Sequence, residues 1–310
     1  MRRLAFLVCL LCSSPVLGQP LDVSVTLRPI HSLVARLMSG IGEPQLVMRG
    51  GLSPHHYAPR PSEVRTLHHS GLVIWVGPSV EPSLAKTIRT LGDDTLTLTL
   101  SEESALELLP ARLGGNWERA TLNNDENDHH DAWNRDPHFW LDPVRASTAA
   151  KAIAQSLILA DPENKATYLE NLTNLTADLS HLDDDLKKTF EVIANKPLFV
   201  FHDAYQYLES RYSLQVLGAV TVSADRIPGA KRVSQIRALI RRAGVSCILF
   251  EPQFKPALIR VLTEKTGAHL GAIDPLGSTI EAGPKHYFVM MRQSAAVIRN
   301  CLSPSKPDKL

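Results

Sequence analysis

The chain has 310 residues, enough for one to three domains of ~100–200 residues and for a substantial buried core. Its 33 Lys and Arg stand against 32 Asp and Glu, so there is no global positive field to recruit nucleic acid. At 44% hydrophobic and 21% charged the composition excludes a disordered chain, and beyond the N-terminal segment no run nears the ~18 apolar residues of a membrane helix.

Arg2 and Arg3 precede an apolar run from Leu4 to Cys12, followed by small residues up to Gly18. A basic start, an apolar stretch and small residues before a cut describe a secretory signal peptide, residues 1–18, with cleavage after Gly18. Removing it takes away two arginines and no acid, leaving 31 basic residues against 32 acidic ones. It also removes Cys9 and Cys12, so the exported chain keeps Cys247 and Cys301. In an oxidising compartment that pair invites a disulfide, with two independent buried thiols as the alternative.

Beyond the signal, β-rich runs at 21–27, 44–49, 72–76 and 95–100 alternate with helical patterns at 29–39, 61–69 and 81–91. The same grammar returns as strands at 197–201, 214–220, 247–250 and 269–273, with helices near 204–211, 230–242, 256–266 and 285–301. Strands alternating with helices imply parallel sheets covered on both faces. The fold class is therefore α/β. Two lobes, 19–160 and 194–310, each hold a four-stranded parallel sheet with flanking helices.

Between them, 161–193 reads as one long rigid helix. Tyr168, Leu172, Leu175, Leu179, Leu182, Leu186, Phe190 and Ile193 recur at spacings of three and four, which makes one continuous apolar stripe. Asp161-Pro162-Glu163 is a favourable start, and a rod of this length spans ~45 Å. The glycosylation patterns at Asn171 and Asn174 fall on this helix and are read as chance. Before it, 123–131 carries four acids, two histidines and no apolar residue, which reads as a mobile loop. Asp128, His129, His130 and Asp131 could hold a divalent cation loosely; a solvated acidic loop without a ligand is the alternative.

The remaining chemistry sits at strand ends. His55 lies in the loop after the second strand, His138 directly precedes a helix, His202 ends a strand of the second lobe, and Asp274 ends another. In open parallel sheets ligands bind outside the carboxyl ends of the strands. Two of these groups come from each lobe, so they can converge only in the cleft between lobes. Three imidazoles and one carboxylate suit tetrahedral Zn²⁺, whereas a manganese site would favour more oxygen donors.

SPHHYAPRPSE at 53–63, PHFWLDP at 137–143, FVFHDAYQYLE at 199–209, FEPQF at 250–254 and IDPLGSTI at 273–280 resemble the ZnuA-type solute-binding proteins of high-affinity zinc ABC importers. The resemblance covers essentially all of the exported chain, including the His/Asp-rich insertion before His138. It implies a periplasmic, monomeric zinc carrier, not an enzyme, that hands Zn²⁺ to an inner-membrane ABC permease with its cytoplasmic ATPase. It places the metal histidines at His55, His138 and His202, with Asp274 as the carboxylate and water as the alternative fourth ligand. The Cys247–Cys301 pair matches a disulfide of ZnuA-type members. Two other readings are a secreted zinc hydrolase, with Asp203 or Glu251 as base, and a metal chaperone or adhesin on the same fold.

Overall fold

The computed structural model describes residues 21–51, 53–112, 117, 135–221, 229–252, 256–264 and 266–304. Residues 1–18, read above as a signal peptide, and the acidic loop with Asp128, His129, His130 and Asp131 lie outside the described residues. The first lobe runs β1 (Val23–Val25), α1 (Arg28–Leu37), β2 (Gln45–Leu46), α2 (Pro61–His68), β3 (Leu72–Trp75), α3 (Leu84–Ile88) and β4 (Leu96–Thr99). Its strands pair in parallel in the order β2-β1-β3-β4. Two helices follow, α4 (Pro143–Ala160) and α5 (Lys165–Glu191). The second lobe then runs β5 (Pro197–His202), α6 (Gln206–Tyr212), β6 (Gln215–Thr221), α7 (Ala230–Arg242), β7 (Cys247–Phe250), α8 (Pro256–Thr263), β8 (His269–Ala272) and α9 (His286–Leu302). Its sheet, also parallel, has the order β6-β5-β7-β8.

Strands buried on both faces need apolar side chains throughout, and Leu72, Val73, Ile74 and Trp75 of β3 are all buried. In β5 the two faces serve different cores. Leu198 and Val200 join the large core that includes α1, α4, α5 and α9, while Phe199 and Phe201 pack with Ile236, Ile240, Ile248 and Leu262 on the other side.

The long helix differs at its start from the sequence expectation. A 3₁₀ turn, Pro162–Asn164, precedes α5. The cause is Asp161. Its carboxylate accepts from the Tyr168 hydroxyl at 2.9 Å and the Asn164 amide at 2.8 Å, so it turns the corner out of α4 instead of capping one uninterrupted helix. The 27 residues of α5 still make a rod of about 40 Å. Its stripe of Tyr168, Leu175, Leu179, Leu182, Leu186 and Phe190 is buried, and Asn171 donates to the carbonyls of Leu37 and Ser39, docking α5 on the end of α1. A disulfide joins Cys247 of β7 to Cys301 of α9, 5.5 Å apart at Cα. Closing a loop of 54 residues, it is worth ~4 kcal/mol on a chain-entropy estimate. Among the described residues no helix is long and apolar enough to cross a membrane.

Both lobes meet tightly beside the site. The Trp140 indole donates to the Pro275 carbonyl at 2.9 Å, and the Tyr287 hydroxyl donates to the Trp140 carbonyl at 2.7 Å. The Tyr207 hydroxyl donates to the Asp136 carbonyl at 2.6 Å.

Candidate metal centre

His55 sits in a 3₁₀ turn, Pro54–His56, between β2 and α2. Proline at the first position of that turn presets its backbone. The ring takes the Ser79 carbonyl as a hydrogen-bond acceptor. Its Nε2 is buried and has no partner. His138 lies before the 3₁₀ turn Phe139–Leu141, itself followed by α4. Asp136 Oδ1 accepts from both its backbone N–H, at 3.0 Å, and its Nδ1, at 2.8 Å. His202 is the last residue of β5, and its Nδ1 lies 3.3 Å from Glu251 Oε1. That carboxylate, just past β7, also accepts from the Tyr205 hydroxyl at 3.0 Å.

These three turns bring the imidazoles together. Ring centroids are 5.8 Å apart for His55 and His138, 5.6 Å for His55 and His202, and 5.2 Å for His138 and His202. One nitrogen from each lies within 4.8 Å of the other two. Tetrahedral Zn²⁺ with Zn–N bonds of about 2.0–2.1 Å sets its donors about 3.3 Å apart, within reach by small ring rotations. The cavity is about 20 Å³, lined by Ser53, Pro54, Trp140, Glu251, Pro275 and Leu276 besides the histidines. That is room for one bare ion or one water.

The electrostatics favour a cation. Burial, followed by the charges that His202 and His138 would carry, pushes His55 well below the ordinary imidazole range, so it presents a neutral lone pair. Burial also acts to lower His202, but the Glu251 charge and hydrogen bond outweigh it and the net shift is upward. Carboxylates behind His138 and His202 hold Nδ1–H and leave Nε2 to face the ion, the usual outer support of a metal-bound imidazole. Together Asp136 and Glu251 offset the charge of a dication.

Asp274, expected to complete the donor set, is not brought into it. Its carboxylate accepts from the backbone N–H of Leu276 at 2.9 Å and of Ser278 at 2.7 Å, and from the Ser278 hydroxyl. Those bonds fold the turn that lays Pro275 and Leu276 against the cavity. The carboxylate lining the cavity is Glu251. Asp203 beside His202 pairs with Arg112, which also holds Glu209 and thus ties the first lobe to α6. Sequence reasoning missed Asp136; the signal available was an acid two residues before a histidine, close enough for one carboxylate to reach both backbone and ring.

Residues 23–301 match the family profile of ZnuA, the periplasmic component A of a zinc-uptake complex. The chain belongs to the ZnuA family. Among curated relatives, the high-affinity zinc uptake system protein ZnuA of Brucella suis is 34% identical over 316 residues, covering 94% of this chain and 95% of its own. The ZnuA of Yersinia pestis is 31% identical over 308 residues, covering 94% and 96%. A crystal structure of a ZnuA superposes with a TM-score of 0.77 at 21% identity, covering 92% of this chain and all of that one. The laminin-binding protein Lmb of Streptococcus agalactiae, described as a bifunctional adhesin and metal transporter, gives 0.74 at 21% identity, covering 92% of this chain and 100% of its own. These two likenesses carry the fold. The ZnuA family is one of periplasmic solute-binding proteins, and its architecture of two parallel sheets bridged by a long helix is the one described above.

Proposed function

We propose that this protein captures Zn²⁺ in the periplasm and delivers it to the permease of an ABC importer, with His55, His138 and His202 as the protein ligands. The observation that carries this reading is the convergence of three imidazole nitrogens within 4.8 Å from turns of both lobes, around a cavity of one-ion size. ZnuA-family membership supports the partner: a membrane permease with its ATPase. The N-terminal segment fits an export signal, and the carrier acts as a monomer. In this reading the ion is cargo that is bound and released, with no bond-breaking step. Three neutral imidazoles leave a fourth position for Asp274 or water, and the Asp274 carboxylate, anchored by the N–H groups of Leu276 and Ser278, still has a lone pair to offer.

Competition titration of His138→Ala and His202→Ala tests the assignment. Each should lose zinc affinity by orders of magnitude, because no other imidazole in the cavity can replace the lost donor. Affinity equal to the unaltered protein in either variant would sink the assignment.

A further inference from the structure

His138 and His202 each rest on a carboxylate, whereas His55 rests on a backbone carbonyl, that of Ser79. The segment that supplies this carbonyl holds the His55 turn at a second point, because the Ser83 hydroxyl donates to the Tyr57 carbonyl. What shapes that segment is Glu81, a carboxylate that is 1% exposed and outside the donor set. Glu81 Oε2 accepts from the backbone N–H of Val76 at 2.9 Å and of Gly77 at 3.2 Å. The N–H groups of Glu81 and Val80 both donate to the Gly77 carbonyl, closing the same turn. Gly77 has φ +139°, and a Cβ there would meet Ser101 Oγ at 2.1 Å, so the turn cannot be rebuilt around another residue. Burying a carboxylate on amide partners without a cation is costly. Burial raises Glu81 to about 7.

We propose that Glu81 is a positioning residue for metal capture: it folds the turn after β3 so that the Ser79 carbonyl fixes the His55 ring with Nε2 toward the ion. This rests on the zinc-binding reading above. The outer support of a metal-bound imidazole is typically worth ~10–100-fold in affinity.

The test is a set of zinc competition titrations on the full exported chain. Glu81→Ala should weaken binding by ~10–100-fold. That loss should vanish in a His55→Ala background and persist in a His202→Ala background, because only the first removes the group through which Glu81 acts. Glu81→Gln, which keeps an acceptor oxygen of the same reach, should recover most of the affinity. An undiminished affinity in Glu81→Ala, or an equal loss with and without His55, overturns the proposal. Should Glu81→Ala fail to fold, Ser83→Ala probes the same cradle: its smaller loss must also disappear without His55, and one that persists overturns it. The two readings fail differently: an unaltered protein that binds no zinc condemns the zinc reading and Glu81's role with it, whereas tight zinc binding that Glu81→Ala leaves intact condemns the role of Glu81 alone.

Discussion

Two buried carboxylates, in different regions, are held in opposite ways. Asp183, on α5, faces cations and a phenol: Arg211 Nε and the Tyr212 hydroxyl both reach Oδ1 at 2.9 Å, and Lys187 reaches Oδ2 at 2.7 Å. Burial acts to raise its pKa, but these partners outweigh it and hold it near 2. Glu81, in the cleft turn after β3, has backbone amides as partners, and burial raises it to about 7. Cations secure the joint between the long helix and α6. The desolvated carboxyl of Glu81 instead closes a turn on amides alone. These two carboxylates thus draw on different electrostatics, with opposite consequences for pH.

The largest break in this comparison is Asp183→Ala, which strands Arg211 and frees α6 from α5. We expect a loss of about 3 kcal/mol in urea unfolding at pH 7, the low end for a buried ion pair because Arg211 and Lys187 stay partly exposed. In the unaltered protein this contribution is fully present above the ordinary Asp value of 3.8 and fades as pH falls toward 2. Glu81 has the reverse sign. Between its ordinary 4.5 and its folded value of about 7 the folded state holds a proton that the unfolded chain has lost, so stability declines as pH rises through that window. Glu81→Gln should therefore stabilise the metal-free protein by up to about 3 kcal/mol at pH 8 and change little at pH 4, as read by denaturant titration at both values. A gain of equal size at pH 4 would place its origin elsewhere than in the buried charge.

The smallest effect sharpens the contrast at the site itself. Asp136→Ala should reduce zinc affinity by ~10–100-fold, because His138 loses the acceptor that holds its Nδ1–H. Protons compete with the ion for the same nitrogens, so zinc affinity should fall on acidification. His202, raised by Glu251, should pass its proton to solvent on metal binding near neutral pH. Calorimetry in buffers of different ionisation enthalpy reads that proton directly; no buffer dependence near pH 7 would contradict it.

Much of this molecule could be read in its sequence, and the failures have a common cause. Central strands such as β3 were legible because a strand covered on both faces must be a short apolar run, and the partly exposed β4 because its leucines and threonines alternate. The long helix was legible because its stripe keeps helical spacing over more than seven turns. His55 and His202 could be placed because strand ends in such sheets face the cleft, and His138 through the PHFWLDP segment that carries the family resemblance. Asp274 is the ambiguous case, because a carboxylate at a strand end looks the same whether it faces an ion or folds a turn. The serine four residues later and the amide at Leu276 reveal the turn, and Asp at the head of a Pro-Leu-Gly-Ser turn is a recognisable side-chain-to-backbone motif. Asp136 left a faint signal in its spacing to His138, but Glu81 was invisible. Its meaning lies in what its neighbours' backbone does, and one-dimensional spacing does not record that.

The chemistry of the donors decides which ions can compete. Three imidazole nitrogens converge here. An ion must exchange water for imidazole one donor at a time as it enters. Magnesium sheds water reluctantly and prefers oxygen, so even a large excess of it is turned away at the threshold. Zinc, content with nitrogen and four neighbours, passes.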